Sequence, residues 1–197
     1  MDAIDAAEKL WPLSPWWNIW RVCILTGQRP SAVIGLRRNE LKLTGDAPVW
    51  TLPAERSKIK RESKIPLSKD CAAILADIPN RGALVWPGRG GNKPLSYPQM
   101  EPQVITMALA ERGFSKGWTA GRARDSVASW LEFQSDATER AMALLLGHKP
   151  PMDNVRRKHY SKVGAEHQAR VLIERWAAAV RDARAGKRAK VVNLHLK

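Results

Sequence analysis

Ser14-Pro15 followed by Trp16, Trp17, Trp20, Ile24 and Leu25 is the stretch that most narrows what this chain can become. Its apolar residues recur at helical spacing, and the face they make is too rich in tryptophan to lie in water. The segment reads as a core helix on which other elements must pack. Ser14 offers a capping hydroxyl and Pro15 suits the first helical position. Thr26-Gly27 ends the helix and leaves Gln28 and Arg29 on a turn. Pro30-Ser31 opens a second, short helix over Ala32 to Leu36, with Ser31 as its cap. Arg29 therefore falls at a junction between helices and near a helix N-terminus, a good place to present a guanidinium to an anion. An ordinary surface arginine is the plainer alternative.

The period then changes. Val49-Trp50-Thr51-Leu52 and Ile65-Pro66-Leu67 read as short strands, joined by the basic connection from Glu55 to Lys64. A lysine on such a hairpin can bring a compact charge and a transferable proton across a cleft. A solvated basic loop is the plainer alternative, and several lysines and arginines here leave the choice among them open. Ser68 caps a helix carrying Cys71, Ile74, Leu75 and Ile78, and Leu84-Val85-Trp86 reads as a further strand. Gly88-Arg89-Gly90-Gly91-Asn92-Lys93 lacks the ending and the following helix of a nucleotide loop, so it is a surface turn. From Ser96 the pattern is helical. One helix carries Val104, Met107, Ala108 and Leu109 and stops at Gly113. The next, Ala120 to Phe133, places Val127, Trp130 and Leu131 on one stripe. Arg122 and Arg124 sit in its first turn, where the helix dipole disfavours cations unless an anion binds there.

Asp136 with Glu139 resembles a capping box for a helix through Ala141, Leu144 and Leu145 that ends at Gly147. Gly147 suits a left-handed helix stop, and His148 lies just beyond it. Twelve positions on, Tyr160 follows Arg156, Arg157, Lys158 and His159, so a phenol could attack a phosphate held by cations. A helix stop and a packed tyrosine are the plainer reading of the same residues. Ala165 to Ala179 is another amphipathic helix, Arg181 to Lys190 a basic linker, and Val191 to Leu196 a short strand.

Charge bounds the partner. The 197 residues carry 33 Lys+Arg against 19 Asp+Glu, a net charge of +14, which points to a polyanion. Cys23 and Cys71 lie in apolar patterns, as buried thiols of a reducing compartment do. No apolar run is long enough to span a membrane, and the basic start of a signal peptide is missing. Charge alone does not separate DNA, RNA and an anionic membrane surface. The chain is expected in the cytoplasm, with no membrane and no nucleotide expected among its partners.

In order along the chain stand Thr26-Gly27-Gln28-Arg29, the run Trp50 to Lys58 with its downstream Ile65-Pro66-Leu67-Ser68, Arg124, Leu146-Gly147-His148, and the basic approach to Tyr160. This order resembles the catalytic domain of the tyrosine recombinases, the phage-type integrases, from about Trp16 to Ala179. The Glu55-Arg56-Ser57-Lys58 run is especially like integrases of genomic islands and prophages. The resemblance implies an α+β, mainly α fold: a helical catalytic domain with a small antiparallel sheet or hairpin on one side. It divides the chain into an N-terminal extension (1–13), the catalytic domain (14–182) and a basic tail (183–197).

It further implies that Arg29 and Arg124 clamp a DNA phosphate and that His148 donates a hydrogen bond to it. Lys58 would protonate the leaving 5′ oxygen, and Tyr160 would form a 3′-phosphotyrosyl link. Lys60, Arg122, Arg156, Arg157 and Lys158 would contact DNA. The chemistry is coherent, because fixed cations offset the charge that repels a nucleophile from a phosphodiester. A covalent intermediate conserves bond energy, so rejoining needs neither cofactor nor metal. Double-stranded DNA is the implied partner, with self-association on it. Val191 to Leu196 either suits strand addition to a neighbouring copy or is a disordered tail, two readings of equal weight.

Two departures qualify the resemblance. Family members carry histidine three residues before the second arginine, and Gly121 stands there; Ala32 stands where a glutamate is common. Loss of one phosphate donor costs ~10²–10³-fold in rate, so a weakened active site is expected. A binding remnant of the same fold, with chemistry lost, is the rival reading. Only about fifteen residues precede Trp16, where relatives carry a helical clamp domain. This half-clamp alone is expected to bind DNA weakly, through salt-sensitive phosphate contacts.

Overall fold

The computed structural model describes residue 9 and residues 14–96, 120–148 and 160–187, with the side chains of 120 and 160–162 excepted. The helix expected around Val104 to Gly113, the basic residues Arg156, Arg157 and Lys158, and the strand expected at Val191 to Leu196 lie outside the described residues.

The fold is mainly helical with a small antiparallel sheet. Helix α1 (Trp16–Thr26) is its centre, as the tryptophan pattern requires. Trp17, Ile19, Trp20, Val22 and Cys23 are all buried, each large apolar side chain contributing roughly 1.5–3 kcal/mol by leaving water. Helix α2 (Pro30–Ile34) follows directly, with Arg29 as its N-cap residue. Strands β1 (Leu41–Lys42), β2 (Val49–Leu52) and β3 (Ser63–Pro66) form one sheet in sequence order. Trp50 lies opposite Leu41 on one side and Ile65 on the other, and Trp50 and Ile65 bring the buried face of the sheet into the same core cluster as α1.

Helix α3 (Lys69–Ala76) is capped by Ser68, whose hydroxyl accepts from the Cys71 N–H at 3.3 Å. A second cluster joins α4 (Ala120–Glu132), α5 (Glu139–Leu146) and α6 (Tyr160–Arg184) around Val127, Leu131, Leu145, Leu172 and Ile173. Trp176 belongs to both clusters. Its ring lies 5.5 Å from that of Trp130, and its Nε1 donates to the Ile24 carbonyl at 2.7 Å. Cys23 and Cys71 are free and buried, and burial pushes the Cys71 thiol up to about 12. No helix among the described residues is long and apolar enough to cross a membrane.

Several local expectations are corrected. Pro15, not Ser14, is the N-cap residue of α1, because its own carbonyl accepts the first helical bond from Ile19 at 3.1 Å. Helix α2 starts at Pro30 and ends at Ile34, so Ser31 lies inside it and is not its cap. Thr138, not Asp136, caps α5, its hydroxyl accepting from the Ala141 N–H at 3.3 Å, while Asp136 pairs with Arg175 at 2.7 Å. Leu84-Val85-Trp86 is not a strand. Val85 N–H bonds back to Leu36 and the Trp86 carbonyl accepts from Leu95, so its backbone is divided between two partners, and only a single bridge, Arg37 to Leu84, is made. The expected linker from Arg181 starts as helix, since α6 runs to Arg184. Arg181 reaches Asp70 in a salt bridge that ties this last turn to α3.

Candidate active site

Two helices stop at the same place. Gly27 ends α1 with φ 64°, and Gly147 ends α5 with φ 57°, both in the left-handed region that glycine enters without penalty. Each stop exposes carbonyls at the negative end of a helix dipole, a setting that favours a cation. Arg124 supplies it. Its Nη1 donates to the Gly27 carbonyl at 3.0 Å, and its Nη2 donates to the Leu146 carbonyl at 2.5 Å. One guanidinium thus ties together the ends of α1 and α5.

Helix α4 is set for this by its register. Ala123 and Val127 face the interior, and a Cβ on Gly27 would lie only 3.1 Å from Val127, so α4 crosses α1 closely at the glycine stop. Arg124, next to Ala123, is turned into the hollow between the helix ends, whereas Arg122 is exposed. Gly121 lies three positions before Arg124 and hence on the same face of α4.

His148 completes the cluster. Its Nε2 lies 2.7 Å from Arg124 Nη2. A guanidinium has no acceptor, so Nε2 must accept and the imidazole is neutral with its proton on Nδ1. Burial, then Arg124, then Arg29 hold the His148 pKa below its usual 6.5. Arg124 itself is pushed down to about 10, first by burial and then by repulsion from Arg29, while Asp125 offsets less than Arg29 adds. Arg29, Arg124 and His148 therefore share one electropositive hollow, and the two guanidiniums repel one another across it. A bound anion would relieve that repulsion.

Sequence reasoning missed Gln28. It is buried, and its Nε2 donates to the Leu145 carbonyl at 2.5 Å, a second tie between the chain leaving α1 and the end of α5. Its Oε1 lies 3.4 Å from where a Cβ on Gly147 would be, so a larger residue there would press on this contact. The available signal was the apolar Leu144-Leu145-Leu146 run, whose terminal carbonyls need donors from elsewhere once the helix stops.

Lys58 is held differently. It is exposed on the turn between β2 and β3, as is Lys60, which takes a left-handed φ of 53°. The turn is anchored by its neighbour Arg56, whose guanidinium pairs with Glu40 and donates to the Ala32 carbonyl of α2 at 2.7 Å. Tyr160 is the first residue of α6, and its side chain lies outside the described residues. Of the sequence-predicted residues, Arg29, Arg124 and His148 are brought together, and Lys58 stands on a loop tied to the helix that begins after Arg29.

Comparison with known proteins gives relatives of one kind. The chain is 30% identical over 169 residues to the prophage integrase IntZ of Escherichia coli K12, covering 84% of this chain and 40% of that protein. It is 27% identical over 185 residues to the prophage integrase IntA of the same organism, covering 90% of this chain and 40% of that one. It therefore spans 40% of the length of each of these relatives. Among solved structures, the XerH site-specific recombinase bound to its difH substrate, in a pre-cleavage complex, matches with a TM-score of 0.57 at 15% identity. That match covers 82% of this chain and 50% of the XerH chain. The post-cleavage complex on palindromic difH matches at 0.55 and 14% identity, over 93% and 49% of the two chains. These two likenesses show a shared fold. No family model matches the chain.

Proposed function

We propose that the chain is a tyrosine recombinase over a span that carries the catalytic fold of that family, and that it breaks and rejoins double-stranded DNA in the integration or excision of a mobile element. The observation that carries this reading is the mutually repelling pair Arg29 and Arg124 beside a neutral imidazole in one hollow. A scissile phosphate is the anion that such a hollow fits in charge and in the planar geometry of its donors.

In the reaction, the Tyr160 oxygen attacks phosphorus and loses its phenolic proton to water. The bond from phosphorus to the 5′ oxygen breaks with its electron pair on that oxygen, which takes a proton from the Lys58 ammonium. The products are a 3′-phosphotyrosyl link and a free 5′ hydroxyl, and the reverse sequence rejoins the strands. Arg29 and Arg124 offset the charge that builds on the phosphoryl oxygens, where fixed donors act most strongly. A phosphate oxygen that takes the Arg124 Nη2 hydrogen frees the Nε2 lone pair of His148, and a proton taken up there lets the imidazolium donate to the phosphate. Lys60, Arg122, Arg156, Arg157 and Lys158 contribute sequence-independent phosphate contacts. Copies of the chain associate on DNA, and Gly121 leaves the clamp short of one donor.

A nicked suicide duplex carrying the element's junction tests this. Cleavage releases the short 5′-hydroxyl strand and traps the covalent adduct. The expected result is an adduct with the wild-type chain and none with Tyr160→Phe, while both bind the duplex equally. Equal binding with no adduct from either protein would establish the DNA-binding remnant instead.

A further inference from the structure

Glu40 is buried beneath the sheet and accepts from three sides. Trp50 Nε1 donates to it at 3.0 Å, the Arg37 N–H at 3.3 Å, and Arg56 Nη1 to both carboxylate oxygens. The other arm of Arg56, Nη2, donates to the Ala32 carbonyl at 2.7 Å. Ala32 belongs to α2, three residues past Arg29. Arg56 belongs to the turn that presents Lys58, where its own N–H and that of Ser57 both bond to the Pro53 carbonyl at 3.1 Å. Ser57 is buried beneath this turn and Lys58 is exposed immediately after it. One planar side chain thus spans from the lysine's loop to the helix that begins at the clamp. Gly35 leaves the room for it, since a Cβ there would lie 2.8 Å from Arg56 Nη2.

We propose that the Glu40–Arg56 pair is a latch that sets the position of Lys58 relative to the phosphate clamp, acting on leaving-group protonation and not on phosphate binding. The inference rests on the recombinase reading above, in which Lys58 is the acid. Arg56 and Glu40 are positioning residues: neither touches DNA, and each acts through the place it gives Lys58. Lysine cannot substitute for Arg56, because a single ammonium on its stem lacks the fork that meets Glu40 and the Ala32 carbonyl together. Breaking such a pair also leaves a buried charge without its partner, so the loop is expected to leave its seat and not merely to soften.

Replacing the scissile 5′ oxygen by sulfur separates positioning from folding. A thiolate leaves without a proton, its conjugate acid having a pKa near ~8.5, the ordinary thiol value. Single-turnover cleavage of oxygen and sulfur versions of the suicide duplex is compared for Lys58→Ala, Arg56→Lys, Arg56→Met, Glu40→Gln and Arg124→Ala. Lys58→Ala, Arg56→Met and Glu40→Gln are expected to slow the oxygen substrate by ~10²-fold or more, the usual loss for a general acid, and to regain most of the rate on sulfur. Arg56→Lys is expected to behave as Arg56→Met does. Arg124→Ala stays slow on both. Gly35→Ala crowds the guanidinium while leaving both charges in place, and is expected to give the same sulfur-selective recovery at smaller amplitude; it keeps the test open where a charge-removing variant fails to fold. If Lys58→Ala recovers on sulfur while the Arg56, Glu40 and Gly35 variants are equally impaired on both substrates, the latch is overturned and the recombinase reading stands. If Lys58→Ala does not recover, the role of Lys58 fails and the latch fails with it.

Discussion

The clamp and the hairpin turn hold cations by opposite means. At the clamp, Arg124 is seated by carbonyls at two helix ends, Gly27 and Leu146, with α4 packed against α1 beneath it. Among the described residues no carboxylate neutralises it there: Asp125 offsets less than Arg29 adds. The charge is fixed by dipoles and left available. At the turn, Arg56 is neutralised outright by Glu40, and the charges that remain available, Lys58 and Lys60 among them, stand on an exposed loop. A phosphate-binding group gains from rigidity, since preorganised donors need no rearrangement as charge develops. A proton donor must move its proton at one moment, and a single anchored loop supplies position with some freedom.

The largest expected effect comes from breaking the clamp side. Arg124→Ala removes a phosphate donor and leaves the Gly27 and Leu146 carbonyls without it. Single-turnover cleavage should fall by ~10³-fold or more, beyond the 10²–10³ of a single donor because the two helix ends also lose their common tie. Cleavage within tenfold of wild type would mean that Arg124 is structural alone. Next is a gain. Gly121 lies one turn before Arg124 on the same face, so Gly121→His is expected to return the missing donor and raise cleavage by up to ~10²-fold. A rate unchanged by that substitution would show that the first turn of α4 does not face the phosphate.

Much of the clamp was legible in the sequence because helix stops announce themselves. Thr26-Gly27 and Leu146-Gly147 each end an apolar run with the residue that tolerates a left-handed turn, so the sequence alone puts Arg29 and His148 at helix ends. Arg124 was legible as a cation in a first turn where the dipole disfavours one. Its partners were not. The carbonyls of Gly27 and Leu146 are backbone groups distant in sequence, and nothing in a side-chain pattern names them. Gln28 was passed over for the same reason, and so was the Glu40–Arg56 pair, which joins a residue before β1 to one after β2. The sequence pattern alone makes the C-terminal helix too short, because Arg181, Asp182 and Arg184 look like a solvated linker. In the fold, the bridge from Arg181 to Asp70 holds that turn against α3.

Gln28 sharpens the comparison on the stability side. Gln28→Ala removes the donor to the Leu145 carbonyl and leaves that helix-end carbonyl short of a partner, at a cost of about 1–3 kcal/mol. Urea denaturation should show the loss as a lowered midpoint with an unchanged slope. Cleavage should fall on oxygen and sulfur substrates alike, because the clamp and not the acid is disturbed. Recovery on sulfur would place Gln28 on the hairpin's side of the division.

The smallest effect is a pH dependence confined to the clamp. The folded-state pKa of His148 lies below the ordinary 6.5, through burial, Arg124 and Arg29 in that order. The unfolded chain therefore binds this proton more readily than the folded one, and stability rises with pH across the interval between the two values. The contribution is fully present above 6.5, is lost as pH falls from there towards the folded value, and levels off below it. Protonation places a third cation in the hollow and removes the lone pair that accepts from Arg124 Nη2. Because His148 is exposed, solvent screening keeps the effect below that of Gln28→Ala. Urea midpoints measured from pH 8 to pH 5 should decline more steeply for wild type than for His148→Gln, in which no such proton is taken up. Phosphate reverses the sign, since an anion in the hollow favours the imidazolium. DNA binding should consequently take up a proton at pH values above the lowered free-state pKa of His148 in wild type and not in His148→Gln, and parallel profiles for the two proteins would remove His148 from the clamp.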